Sequence, residues 1–382
     1  MKYFFYICIL GLCATMMLSC ETSTQNDTDI KNVVLDVQYI NEEKFLSNEF
    51  TCIEIIPLDN SKEALINRIG KMIVTDSCML FWDNGPKSQV LSFKTNGVFE
   101  NSIGRLGHAK DEYHLIMNIA SSSSSDTIAI IKYPNVNLYA LDGNFIKELK
   151  INNDKGTEDM LITNDGFFLG YFHRQGECLL NFYDKNFNHV ANIIKTSSNP
   201  IRSSVSTDRG KHIQEDNNNI YCLDVFSSSL YVISKENLND ITKYSFSMPN
   251  MLTEEIVRNI SEPEEILKYF RISSFHVHND IVRGQIIRDG NEYEVYDFKF
   301  NISDTSVKLM KHVDMGYMFD CSHSGYFYQI LSSQQLLNYM DKSKGHMEPI
   351  RQLYGDAIKK LEGQISHTDN YYIVKMKALE SN

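Results

Sequence analysis

Seven prolines and one tryptophan are all that 382 residues contain of those types. No pair of cysteines is spaced as Cys-x-x-Cys, which removes the usual structural zinc sites. There is no P-loop, no Gly-x-Ser-x-Gly and no His-Glu-x-x-His. Gly104 and Gly107 lie after a strand-like run, but no βαβ helix follows them, so they do not form a dinucleotide loop. Positive charge is also short: the formal net charge is −12, which argues against nucleic-acid partners. No cofactor is expected. Apolar runs are short everywhere except at the start of the chain.

That start carries a clear pattern. Lys2 is a positive opening, 3–17 is uncharged and apolar, and Met17-Leu18-Ser19-Cys20 leads straight into polar Glu21, Thr22 and Ser23. A secretory signal has this layout, with an apolar stretch of about 7–15 residues and a small residue at the cut. A cysteine directly after Leu-Ser makes it a lipobox, so Cys20 is expected to be lipidated after cleavage. The run is too short for a permanent span, which needs about 20 apolar residues. The expected organisation is a signal peptide over 1–19, a lipidated linker over 20–48 and one domain over 49–382, with the lipid holding the protein to a membrane. Five cysteines remain, Cys52, Cys78, Cys178, Cys222 and Cys321, and their wide spacing fixes no pairing. Cys78 and Cys222 stand inside apolar strand-like runs and read as small core residues.

What the mature chain has is aromatic content, 21 Tyr and 21 Phe, and a repeat. Segments 90–99, 136–145, 178–187 and 229–238 each read strand, polar turn, strand, and a fifth copy starts at Tyr293. Asn96-Gly97 and Asp142-Gly143 read as hairpin turn pairs, of the kind in which both central residues need positive φ. The apolar residues that follow, Phe99, Phe145, Phe187 and Leu238, are 46, 42 and 51 residues apart. A further strand precedes each hairpin, at 79–83, 128–132, 167–171, 220–224 and 281–285. Four strands per about 40–50 residues is the spacing of a propeller blade. One such sheet cannot bury both faces alone, so blades must stack around an axis. A sixth blade is assembled from 325–331, the alternating tail 371–379 and the early strand 50–56, which pairs the two chain ends and leaves no open edge. Segments 253–270 and 349–363 carry helical periodicity and read as insertions. The predicted fold is all-β: a six-bladed β-propeller with short helical insertions.

Ile55-Ile56-Pro57-Leu58-Asp59, Leu65 to Lys71, the strand ending Phe81-Trp82-Asp83, the Asn96-Gly97 hairpin and then Gly104, Gly107, Glu112 and Tyr113 occur in one order. That order resembles the six-bladed β-propeller lipoproteins of Bacteroides and relatives, a largely uncharacterised family. Their Gly-Pro is replaced here by Ala109-Lys110. Asp369-Asn370-Tyr371 is similar to their closing motif. The resemblance implies fold and an outer-membrane address, and no reaction.

In a four-stranded meander alternate loops share a face. The loops after second strands and between blades therefore gather Asp83, Arg105, His108, Glu112, Tyr133, His173, Arg174, Asp224, Arg288 and Asp289 on one face, the expected ligand face. His276 and His278 fall on one side of a strand and form a weaker metal-type pair, and no metal is expected. The expected function is non-catalytic: a binding or scaffold protein on the outer membrane for a glycan, peptide or envelope partner. A propeller hydrolase or lyase acting on a polysaccharide is the alternative, since fold alone does not decide.

Overall fold

The computed structural model describes residues 28–379 except 38–39, 41–42, 122–125, 133, 151–157, 164–165, 172–177, 197–200, 203–211, 217, 291–292, 313–317, 341–346, 362 and 367–368. Cys20 and the segment 1–27 lie outside the described residues.

Second strands explain the architecture best. Cys78–Asp83 reads Cys-Met-Leu-Phe-Trp-Asp and is buried at every position. Side chains alternate across a strand, so such a run must be covered on both faces. Met79 and Phe81 join a cluster with Tyr328 and Ile373, on one side. Cys78, Leu80 and Trp82 join Ile119, Ile128 and Ile130 on the other. Ala129 and Ile131 in turn pack against Met160 and Phe168. Each sheet thus shares its two faces with two neighbours, and the core consists of successive interfaces around a ring.

Among the described residues the strands form six such sheets. Blade 1 runs Ile69–Val74, Cys78–Asp83, Gln89–Lys94 and Phe99–Ile103. Blade 2 covers 118–150, blade 3 159–195, blade 4 213–247 and blade 5 271–312, each in the same antiparallel order. First strands of neighbouring blades contact one another all round, including blade 6 with blade 1. Blade 6 has the order Cys321–His323, Tyr326–Leu331, Tyr372–Ala378 and Phe50–Pro57. The propeller is therefore six-bladed, and its last blade closes with strands from both ends of the chain. Asn370 fastens the seam: its side-chain amide donates to the carbonyls of Asp59 and Ala64, each at 2.9 Å.

Two strands fall in the segment assigned to the linker. Asp29–Val34 adds in parallel to the outer strand of blade 4, and Glu43–Lys44 to that of blade 5. The segment so covers the edges of two blades before entering the sixth. Helix α1 (Glu254–Asn259), capped by the Thr253 hydroxyl, lies between blades 4 and 5. Helices α2 (Ser333–Met340) and α3 (Met347–Lys359) interrupt blade 6, and α3 packs against the outer strand Phe50–Pro57. Helix α2 lies outside both segments that carry helical periodicity.

Candidate functional site

First strands line the propeller axis, and the turns that end them surround one mouth. Inside lies a cavity of about 690 Å³. Its mouth is built from the turns after the first strands of blades 4, 5 and 6. Asn279 and Asp280 both adopt positive φ (47° and 60°), as do Ser324 and Gly325 (49° and 80°), the geometry of two-residue hairpins. Gly325 is needed for a second reason: a Cβ there would lie 2.9 Å from the His278 ring, which covers the turn.

The mouth is polar. His323 Nε2 lies 2.8 Å from Asp76 Oδ1, bridging blades 6 and 1. Asp216 Oδ1 accepts the amides of Asn218 and Asn219 at 2.9 and 2.8 Å, and Oδ2 accepts the Tyr221 hydroxyl at 2.5 Å. Burial, then the nearby Arg283 guanidinium, lowers the His278 pKa, which keeps this imidazole neutral at pH 7. Within the cavity Glu215 pairs with Lys235 at 2.6 Å, and burial raises the glutamate's pKa against that pairing. His276 is buried, with Nε2 3.0 Å from the Phe319 carbonyl. Lys71 reaches past blade 2 to Asp159 of blade 3, at 2.8 Å, and both are largely buried. Among the described residues no three His, Cys, Asp or Glu are placed to hold a metal ion.

None of the described residues expected on the ligand face lines this cavity. The described ones stand at the ends of second strands and on the loop between blades 1 and 2, on the opposite face, and the carboxylates there are held by their own surroundings. Asp83 is buried and accepts from the amides of Arg68 (3.0 Å) and Gly85 (2.9 Å) and from the Asn67 side chain (3.1 Å). Glu112 accepts the Ala109 amide at 2.9 Å and pairs with Arg105 Nε at 2.7 Å, and the amide bond with the arginine charge lowers its pKa. The segment crosses inward tightly: Gly104 has φ 64° and packs against Tyr139 and Tyr113, and Tyr113 is buried between blades 1 and 2. His108 stacks on His114 with centroids 6.0 Å apart. Asp224 is buried in a bidentate pair with Arg202. Arg288 pairs with Glu294 and lies 4.5 Å over the Phe270 ring, and Asp289 pairs with Arg271. His173, Arg174 and Tyr133 lie outside the described residues. The sequence brought His276 and His278 to notice as a pair, but Glu215, Asp216, Lys235 and His323 carried no motif. Glu215, Asp216 and Lys235 meet within blade 4, and only the ring brings His323 of blade 6 to the same cavity.

Over residues 31–377 the chain matches the family described as "Domain of unknown function (DUF4934)". No curated protein matches it. It is similar to a Bacteroides fragilis protein described as exported, with a TM-score of 0.71 at 15% identity, covering 92% of this chain and 100% of that one. It is also similar to a member of the DUF4221 family from Bacteroides vulgatus, with a TM-score of 0.54 at 10% identity, covering 87% and 99%. At these identities the likeness concerns the fold.

Proposed function

From the premise that the chain belongs to the DUF4934 family, we propose that it is an exported lipoprotein of the cell envelope, anchored to the outer membrane through Cys20, that holds a glycan, peptide or envelope partner in its axial cavity without transforming it. The observation that carries this reading is the cavity itself. A space of about 690 Å³ at the axis, ringed by His278, His323, Asp216 and Asp280, has the size and the few convergent polar groups of a ligand site. The lipobox ending at Cys20 and the likeness to a protein described as exported support the address.

Two measurements test the two halves. Cys20→Ala moves the protein from the membrane to the soluble fraction and abolishes incorporation of labelled lipid; retention of the variant, with no label on the natural chain, removes the anchor. For the site, His278→Ala/His323→Ala lowers binding to any glycan- or peptide-array hit at least tenfold, while Tm moves by no more than about 3 °C. Array binding that the double variant leaves intact places the ligand elsewhere.

A further inference from the structure

We propose that the face bearing the axial mouth is the one this protein turns towards its own membrane, so that the cavity receives a partner projecting from that membrane rather than one arriving from the bulk. The inference rests on the lipidation of Cys20 proposed above, and it narrows the partners of that reading to the envelope component.

The strand that joins the anchor to the propeller sets the direction. Asp29–Val34 runs parallel to Ile241–Ser247, the outer strand of blade 4, with Asp29 opposite Thr242 and Val34 opposite Ser247. Ile241–Ser247 starts from the turn after Ser229–Ser234, and that turn lies on the mouth side. The Lys235 amide donates to the Asn218 carbonyl at 2.9 Å, and Asp216, Asn218 and Lys235 all line the cavity. The chain therefore arrives from the anchor at the mouth-side end of the blade and leaves at the other end. The entry is fixed: all six residues of the strand have partners in the ladder, and the Leu35 amide donates to the Ser247 carbonyl at 2.8 Å. Val33 and Leu35 are buried in the cluster that blades 4 and 5 share.

Lengths separate the two faces. From Cys20 to Asp29 the chain advances nine residues, which fully extended span about 30 Å. Four strand spacings, about 19 Å, lie between Asp29–Val34 and the first strand Ile213–Glu215, so the entry point and the mouth share one end of the blade. With the mouth towards the bilayer, the nine residues reach the lipid directly. With the mouth turned away, they must first run back along the blade, about 16 Å from Asp29 to Val34, and then past helix α1, about 10 Å across. That consumes nearly the whole length. The lipid surface itself does not fill the mouth. Asp142, Asp184, Glu236, Asp240 and Asp304 stand on the turns before fourth strands, against Lys185 and Lys235 there. Such carboxylates repel phosphate headgroups over a screening length of about 8 Å at physiological salt. The face is held near the bilayer but off it, which leaves the mouth open to a partner rooted in the same membrane.

The test uses the full lipidated chain in phospholipid vesicles. Glu236, on the mouth-side turn of blade 4, and Glu255, on helix α1 at the other end, are both exposed. Each is replaced in turn by azidophenylalanine to carry a dye or a biotin. Energy transfer to a headgroup-bound acceptor is at least twofold greater from position 236 than from 255, and streptavidin reaches biotin at 236 at least tenfold more slowly. Inserting about 20 Gly/Ser residues after Gln25 lengthens the reach and removes both differences. Equal or greater transfer from 255, equal streptavidin rates, or differences that survive the insertion overturn the inference. Lipid labelling of the natural chain tells the two readings apart: with label present, these results remove the orientation and leave the anchor, whereas without label the anchor fails and the orientation falls with it.

Discussion

A chain that stops at residue 370 shows no cooperative thermal transition. The missing strand, Tyr372–Ala378, is an interior member of blade 6, hydrogen-bonded to Tyr326–Leu331 on one side and to Phe50–Pro57 on the other. Its removal orphans the N-terminal strand as well, since Tyr372–Ala378 is that strand's ladder partner. Tyr372, Ile373, Val374 and Met376 are all buried in the interfaces on both faces of the blade. At about 1.5–3 kcal/mol for each large apolar side chain, the loss is roughly 6–12 kcal/mol. That is comparable to the whole stability of a typical domain, about 5–15 kcal/mol. Circular dichroism melting and limited proteolysis read the outcome. A truncated chain that melts within a few degrees of the natural one removes the closure from the account of stability.

This closing arrangement was visible in the sequence, and the reason is physical. The tail alternates Tyr372, Val374 and Met376 with Ile373 and Lys375, and the early strand holds Ile55 and Ile56, so both segments carried apolar faces that needed a partner. The second strands were legible for the same reason: burial on both faces forces unbroken apolar runs such as Met79 to Trp82. Asp29–Val34 was not legible. It is exposed at every position but Val33, and joins blade 4 through its backbone in parallel register. A strand held by main-chain bonds imposes almost nothing on its side chains. The axial cavity was hidden by a different cause. First strands such as Ile213–Glu215 and Cys321–His323 are three residues long, too short to show a period. Their polar residues are drawn together by ring closure between segments more than a hundred positions apart. The acidic residues of the other face drew notice because loop carboxylates look free in a sequence. Asp83 and Glu112 accept backbone amides of their own or adjoining loops, and nothing in residue type distinguishes such a carboxylate from one that awaits a ligand.

Arg202→Ala lowers Tm by about 4–7 °C at pH 7.5, and by less at pH 5. Arg202 and Asp224 are both almost wholly buried and share two hydrogen bonds of 3.1 and 3.0 Å. Asp224 also accepts the Ser227 hydroxyl at 2.8 Å and the Phe226 amide at 3.1 Å. Burial alone would raise its pKa; the arginine charge and these bonds outweigh it, so the carboxyl stays below its ordinary value. A depressed carboxylate stabilises the fold above its unfolded pKa, near 3.9, and that contribution fades only as pH falls through the folded value. The natural chain therefore keeps the pair intact at pH 5. Truncating the arginine leaves a buried charge without its partner, which costs roughly 3–5 kcal/mol. The sign of the linkage then reverses. With the guanidinium gone, burial is the largest influence left on Asp224, and its pKa rises above the unfolded value. Protonation now favours the folded variant, so acidification from pH 7.5 to 5 recovers part of the lost stability. Paired melts of the two chains at both pH values test this. A Tm difference that is the same at pH 5 as at pH 7.5, or below about 2 °C at both, shows that Asp224 does not depend on Arg202 for its charge. Replacing the pair together, as Arg202→Met/Asp224→Leu, removes the unpaired charge and is expected to restore most of the loss at pH 7.5, because two apolar groups of similar volume carry no desolvation penalty.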